Sequence, residues 1–118
     1  MTPPLPKTLE KYGLTVEAFK ALWERQGGTC AVCKAAPKSR EVPDSKRPGF
    51  LKHKTSRLCI DHAHVKGWKK MPPEKRARHV RGLLCYWCNT CYVGRAITIE
   101  KSQAVTEYLR AFESKAAQ

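Results

Sequence analysis

Apolar residues recur at helical spacing near both ends of the chain and alternate in two short runs between, separated by polar stretches broken by proline. Phe19, Leu22 and Trp23 share one face of a predicted helix. Thr15 starts it as N-cap, and Glu17 sits in its first turn beside the positive end of the helix dipole. Leu14 and Phe19 occupy the two positions of a hydrophobic staple. Gln26-Gly27-Gly28 stops the helix, because glycine adopts the left-handed conformation that closes a C-terminus. Leu58-Cys59-Ile60-Asp61-His62 reads as a strand, and His79 to Leu84 as its antiparallel partner. The connection between them is long and basic, with a short helix from Glu74 to Arg78 that Pro73 begins. Cys85 to Asn89 opens a helix that runs to about Arg95. Val105, Tyr108, Leu109 and Phe112 stand at i, i+3, i+4 and i+7 of a last, amphipathic helix. Its apolar face is expected on the chain's own core, with a dimer seam as the alternative. Residues 2–6 are expected to be an irregular lead-in, and residues 34–57 a long loop with a turn near Phe50-Leu51. The predicted class is α+β.

At 118 residues the chain is expected to be one domain, 1–118, and so small a core gains from a metal staple. No apolar run approaches the ~20 residues of a spanning helix. The opening Met-Thr-Pro-Pro-Leu-Pro-Lys lacks the apolar centre of a signal peptide, so the expected compartment is the cytoplasm. The formal charge of +13 is large for this length and points to a polyanion. Nucleic acid is the expected partner, since each Lys or Arg on a phosphate releases condensed counterions. No basic amphipathic helix favours acidic lipid instead.

The six cysteines include two Cys-x-x-Cys pairs, Cys30/Cys33 and Cys85/Cys88. Without a secretory signal, metal ligation is preferred to a disulfide framework. Two such knuckles complete a tetrahedral site, so these four thiolates are expected to hold a structural zinc. Cys59 and Cys91 are expected to be small buried hydrophobes.

Between the knuckles lies Ile60-Asp61-His62-Ala63-His64, and Asn89 directly follows Cys88. Asp is a hard oxygen ligand suited to Mg²⁺ or Mn²⁺. A neutral His can take a proton from water. Asn89 offers an amide oxygen at a position set by the zinc knuckle. Taken singly, an Asp-His pair is common and an Asn in a first helical turn is usually a cap. Their joint placement beside two knuckles in a basic chain carries the reading. It has one requirement: adjacent strand residues point to opposite faces, so the backbone after Ile60 must depart from a regular strand.

The run Cys-x-x-Cys, Ile-Asp-His-x-His, Val-Arg-Gly-Leu-Leu-Cys-x-x-Cys-Asn resembles the phage recombination endonuclease VII family, within the wider HNH or His-Me finger nucleases. Tyr12-Gly-Leu-Thr and Gln26-Gly-Gly-Thr-Cys30 extend the resemblance, which covers about residues 12–95 and leaves 96–118 for the last helix. It implies a zinc-stapled ββα-metal finger that cuts DNA, branched DNA included, and a phage origin. By this resemblance Asp61 and Asn89 bind the catalytic Mg²⁺ or Mn²⁺ and His62 is the general base. His64 contacts the scissile phosphate or its leaving side, and Cys30, Cys33, Cys85 and Cys88 hold zinc. The family's junction-resolving members carry a long C-terminal dimerisation region. The short stretch after Arg95 here makes four-way-junction resolution a weaker expectation than phosphodiester cleavage.

Lys66, Lys69, Lys70, Arg76, Arg78 and Arg81 crowd the hairpin connection, with Trp68 among them. They are the expected DNA contacts, largely through phosphates, with Arg81 as a phosphate clamp and Trp68 stacking or wedging at a base step. Trp23 and Trp87 are expected in the core, and His53 and His79 carry no assigned role. Steep loss of affinity with added salt is the expected signature. The rival reading is a zinc-stabilised DNA-binding module in which Asp61, His62 and Asn89 do no chemistry; an RNA-directed protein and a protein adaptor are weaker rivals. A monomer and a homodimer both fit the sequence.

Overall fold

The computed structural model describes residues 3–37, 39–55, 57–94 and 97–116. Four helices and two separate antiparallel hairpins make a mixed α+β fold. In chain order these are α1 (Pro6–Tyr12), α2 (Val16–Arg25), β1 (Ser39–Pro43), β2 (Leu51–Thr55), β3 (Cys59–His62), α3 (Pro73–Arg78), β4 (Val80–Leu84) and α4 (Ile99–Ala116). A 3₁₀ turn spans Trp68–Lys70, and a π-helical stretch runs from Cys88 to Val93.

The helix α1 was not foreseen in the proline-rich lead-in. Proline is compatible with a first helical turn, where its missing N–H would be unpaired anyway, and Leu9 then turns into the core. Gly13 ends α1 at φ 69°, where its N–H donates to the Glu10 carbonyl and the Leu14 N–H donates to the Leu9 carbonyl. A Cβ at Gly13 would also run into the Pro73 carbonyl, so α1 and α3 meet at this residue. The Arg76 guanidinium closes the same joint by donating to the Glu10 carbonyl at 3.1 Å. Gly13→Ala is expected to cost about 2–3 kcal/mol, from the left-handed backbone plus the displaced α3. A lowered denaturant midpoint with an unchanged slope checks it.

The helix α2 begins where Thr15 Oγ1 accepts from the Ala18 N–H at 3.0 Å, the expected cap. Phe19 is buried, while Leu22 and Trp23 are half-buried against the core, as their spacing predicts. Past its end, the Gln26 side chain does the work of a strand. Its Nε2 donates to the Thr29 and Leu83 carbonyls, both at 2.8 Å, and its Oε1 accepts from the Leu83 N–H at 2.9 Å. The outward edge of β4 is thereby satisfied by a carboxamide instead of by water or another chain. Gln26→Ala leaves a buried N–H unpaired and is expected to destabilise by about 1–3 kcal/mol, read as a lowered melting temperature.

The 34–57 region is more ordered than a loop. β1 and β2 pair antiparallel from Ser39↔Thr55 to Pro43↔Leu51. Asp44 shapes their turn, accepting from the Lys46 N–H and from Arg47 Nε, each at 2.9 Å. The core is small: Leu9, Phe19, Leu58, Ile60, Leu83 and Leu84, with the thiols of Cys30 and Cys88 among them. The apolar face of α4 does not join it. Ile99, Val105, Tyr108, Leu109 and Phe112 are all more than half exposed, which corrects the expected core packing.

Candidate active site and metal centre

The two knuckles meet as their spacing predicts. The sulfurs of Cys30, Cys33, Cys85 and Cys88 all lie within 4.8 Å of one another, and Cys33 Sγ is 3.8 Å from Cys85 Sγ. A tetrahedral zinc thiolate site with Zn–S near 2.3 Å has edges of about 3.8 Å, so the donor set fits that ion. Backbone N–H groups support the sulfurs: Val32 donates to Cys30 Sγ and Cys88 to Cys85 Sγ, both at 3.4 Å. Burial and the neighbouring thiols push the Cys88 thiol up. At Cys30 burial also acts upward, but backbone N–H donors, those of Cys85, Cys33 and Val32, prevail and bring it down. Four thiols so close cannot all ionise without a cation among them. The cluster could hold a structural zinc. The first knuckle is tied to the hairpin by the Ala31 N–H, which donates to the Leu83 carbonyl at 3.1 Å.

β3 and β4 pair Cys59↔Leu84, Ile60↔Leu83 and Asp61↔Gly82, but His62 pairs with Val80. Arg81 is therefore an extra residue opposite the Asp61–His62 step, a bulge in β4. Bulges bend a strand and re-aim its side chains. Beside this bulge Asp61 and His62 line one cleft, of about 360 Å³, together with His64, Asn89, Tyr12 and Lys11. The pairing irregularity falls at the Asp61–His62 step, although β3 itself stays a strand through His62 and the extra residue belongs to β4.

Asn89 reaches the cleft from the π-helical stretch that leaves the second knuckle. The wider turn is closed by the Gly94 N–H donating to the Asn89 carbonyl at 3.2 Å, an i→i+5 bond. Such turns are rare and recur at functional sites. At its start the Asn89 N–H donates to the Cys85 carbonyl at 3.0 Å, so the zinc knuckle and Asn89 share one backbone anchor.

The Arg81 guanidinium lies over Asp61, with Nε on Oδ2 at 2.8 Å and Nη2 on Oδ1 at 2.9 Å. The carboxylate is buried, at 6% exposure, and a fork-to-fork pair sets its plane. A carboxylate has about four lone-pair positions and Arg81 uses two, which leaves the cleft side of Asp61 available as a hard ligand. Arg81 is thus seated on Asp61, where the sequence reading made it a phosphate clamp.

His62 rests on an aromatic shelf. Its ring stacks on Trp68 at 4.0 Å between centroids and 24° between planes, and Tyr12 meets it edge-on at 5.4 Å. Trp68 is 5% exposed and donates its indole N–H to the Arg76 carbonyl at 3.3 Å. This corrects the expected wedge: the residue is packed under His62, out of reach of a base step. Burial, then the charge of neighbouring His64, hold the His62 pKa below the ordinary histidine value. Asp61 opposes them, and Lys11 and Arg81 act downward in smaller measure. His62 is therefore neutral and able to accept a proton at pH 7. His64 is exposed, 4.5 Å away between ring centroids.

The predicted DNA contacts divide. Lys66, Lys69 and Lys70 line a second cleft, of about 660 Å³, with His62, His64 and Lys11. Arg78 is exposed on α3, while Arg76 is half-buried as the strut to α1. Trp87 and Cys91 are exposed, against the expectation that both are buried, and Cys59 is half-buried. His53 falls among residues whose side chains are outside the description.

A family model described as recombination endonuclease VII matches residues 6–111. The chain belongs to that family. The match runs beyond the 12–95 motif region at both ends and takes in α1 and most of α4. The "Gene 59 protein" of Mycobacterium phage D29 is 34% identical over 105 residues, covering 88% of this chain and 48% of that protein. The protein of the same name from Mycobacterium phage L5 is 32% identical over 104 residues, with shares of 87% and 48%. The chain spans about half the length of the curated relatives it matches. No solved structure gives a significant match. Among the described residues, no helix is long and apolar enough to cross a membrane.

In this endonuclease VII family chain the cleft is lined as well by residues to which the motif reading gave no role, among them Lys11 and Tyr12. Both are on α1, and the only local signs were Pro6 at a helix start and Gly13 at its end.

Proposed function

We propose that this chain is a metal-dependent endonuclease that hydrolyses phosphodiester bonds in DNA. The observation that supports it most is that Asp61, His62 and Asn89 line one cleft, beside the bulge at Arg81. Asp61 and Asn89, both oxygen donors, would hold a divalent ion such as Mg²⁺ or Mn²⁺, and Arg81 keeps the Asp61 carboxylate in plane. When bound, the ion supplies charge stabilisation at the phosphate and at the departing 3′ oxygen. His62, neutral and fixed on Trp68, takes a proton from water as its oxygen bonds to phosphorus. The bond from phosphorus to the 3′ oxygen breaks and that oxygen takes a proton from solvent, leaving a 5′-phosphate and a 3′-hydroxyl. His64 contacts the scissile phosphate or its leaving side. The four cysteines hold zinc, which anchors the start of the Asn89 segment. Lys66, Lys69, Lys70 and Arg78 meet neighbouring phosphates.

Supercoiled plasmid incubated with the purified chain and Mg²⁺ or Mn²⁺ tests this reading. Nicked or linear product that needs the added ion and carries 5′-phosphate ends is the expected result. The Asp61–Arg81 ion pair favours one second reading, a zinc-stabilised DNA-binding module in which that pair is purely structural. Tight plasmid binding without cleavage would establish the second and exclude the first.

A further inference from the structure

Lys11 is set apart from the other described lysines and arginines of these two clefts by its position. It lines both clefts: the one holding Asp61, His62 and Asn89, and the basic one holding Lys66, Lys69 and Lys70. His62 and His64 also belong to both, so the two clefts meet along the two imidazoles, with Lys11 facing them from α1. The larger cleft is basic, and among the residues lining it there is no carboxylate. Trp68 lies buried in its wall.

The position of Lys11 is built, not incidental. α1 is locked to α3 by Gly13 against Pro73 and by Arg76 on the Glu10 carbonyl, one residue before Lys11. Its neighbour Tyr12 packs against His62 at 5.4 Å and Trp68 at 5.6 Å, and the Lys11 ammonium sits 5.5 Å from the Tyr12 ring centroid. Lys11 is exposed and makes no ion pair among the described residues. An unpaired, exposed ammonium held at the junction of an oxygen-donor cleft and a lysine cleft suits the phosphate of a chain that occupies both.

We infer that Lys11 binds the backbone phosphate next to the one being cut, and that the nucleic-acid strand passes from the Asp61/Asn89 cleft across His62 and His64 into the Lys66/Lys69/Lys70 cleft. The inference rests on the nuclease reading above and adds to it a strand path and a binding residue from outside the recognised motifs. Each neutralised phosphate contributes about 0.9 to the slope of log affinity against log salt on duplex DNA. Removing one phosphate contact therefore lowers that slope by about 1, whatever the sequence.

The test measures binding of a fluorescent DNA duplex across a salt series without added Mg²⁺ or Mn²⁺, and nicking of plasmid with Mg²⁺. It compares the unsubstituted chain, Lys11→Ala, Lys11→Arg, and Lys20→Ala as a control on the exposed side of α2. Lys11→Ala is expected to lose about 1 in slope and to nick more slowly at subsaturating DNA. Lys11→Arg is expected to keep the slope, and Lys20→Ala to match the unsubstituted chain. A Lys11→Ala slope equal to that of Lys20→Ala, with the unsubstituted chain active, would overturn the strand path alone. An unsubstituted chain that neither binds nor nicks DNA would overturn the nuclease reading and the inference with it.

Discussion

Plasmid mixed with the His62→Ala chain and Mg²⁺ is expected to stay supercoiled long after the unsubstituted chain has nicked it. Loss of a positioned general base costs on the order of 10²–10⁴ in rate. The effect should be large because nothing in the cleft substitutes for this imidazole. His64 lines the same cleft but is exposed, without the burial that lowers the His62 pKa, while Asp61 is held by Arg81. The His62 ring is held in place from two sides, by Trp68 below and Tyr12 at the edge, and its depressed pKa keeps it ready to take a proton. The substitution leaves every lysine of the two clefts untouched, so DNA affinity and its salt dependence should persist. Binding at wild-type strength with cleavage lost separates a chemical role from a structural one. Nicking at the wild-type rate would remove His62 from the mechanism.

The second large effect is on folding. Cys85→Ser is expected to abolish cooperative unfolding together with bound zinc. Cys30 and Cys88 are buried in the same cluster as Phe19, Leu83 and Leu84, so the metal centre and the apolar core are one structure. Structural zinc in small domains contributes about 10–16 kcal/mol of binding energy, which is folding energy when the unfolded chain has no site. That exceeds what a core of this size supplies against chain entropy. Metal analysis of the purified variant beside a denaturant titration checks the point. A full, cooperative transition in protein free of zinc would show that the cysteines do not carry the fold.

How much of this could be read from residues alone depended on the range of the forces involved. α2, α3 and the β3–β4 pair were legible because their signals are local: a Thr15 cap, a proline start, a run of alternating apolar residues. α1 was not, because a seven-residue helix is unstable alone and exists here by docking Leu9 and by its joint with α3. The β1–β2 hairpin was hidden by its charges and prolines, and the side chain of Asp44 organises its turn. Single aromatic residues were the least legible. Trp68 sits among lysines yet is buried, and Trp87 sits between the two cysteines of the second knuckle yet is exposed, because burial depends on which face the neighbouring element covers.

The sequence by itself determined the chemistry available and its order along the chain. Two Cys-x-x-Cys pairs, an Asp-His step between them and an Asn directly after Cys88 are covalent facts, and they agree with the family membership. Only the tertiary structure decided what those groups face. The bulge at Arg81 arises from pairing between strands that lie some twenty residues apart, and Asp61 and His62 line one cleft beside it. Arg81 could equally have met phosphate, but the bulge puts it across from Asp61, and its guanidinium pairs with that buried carboxylate. Lys11 reaches the same cleft because α1 docks on α3, a contact between segments about sixty residues apart that no local pattern encodes.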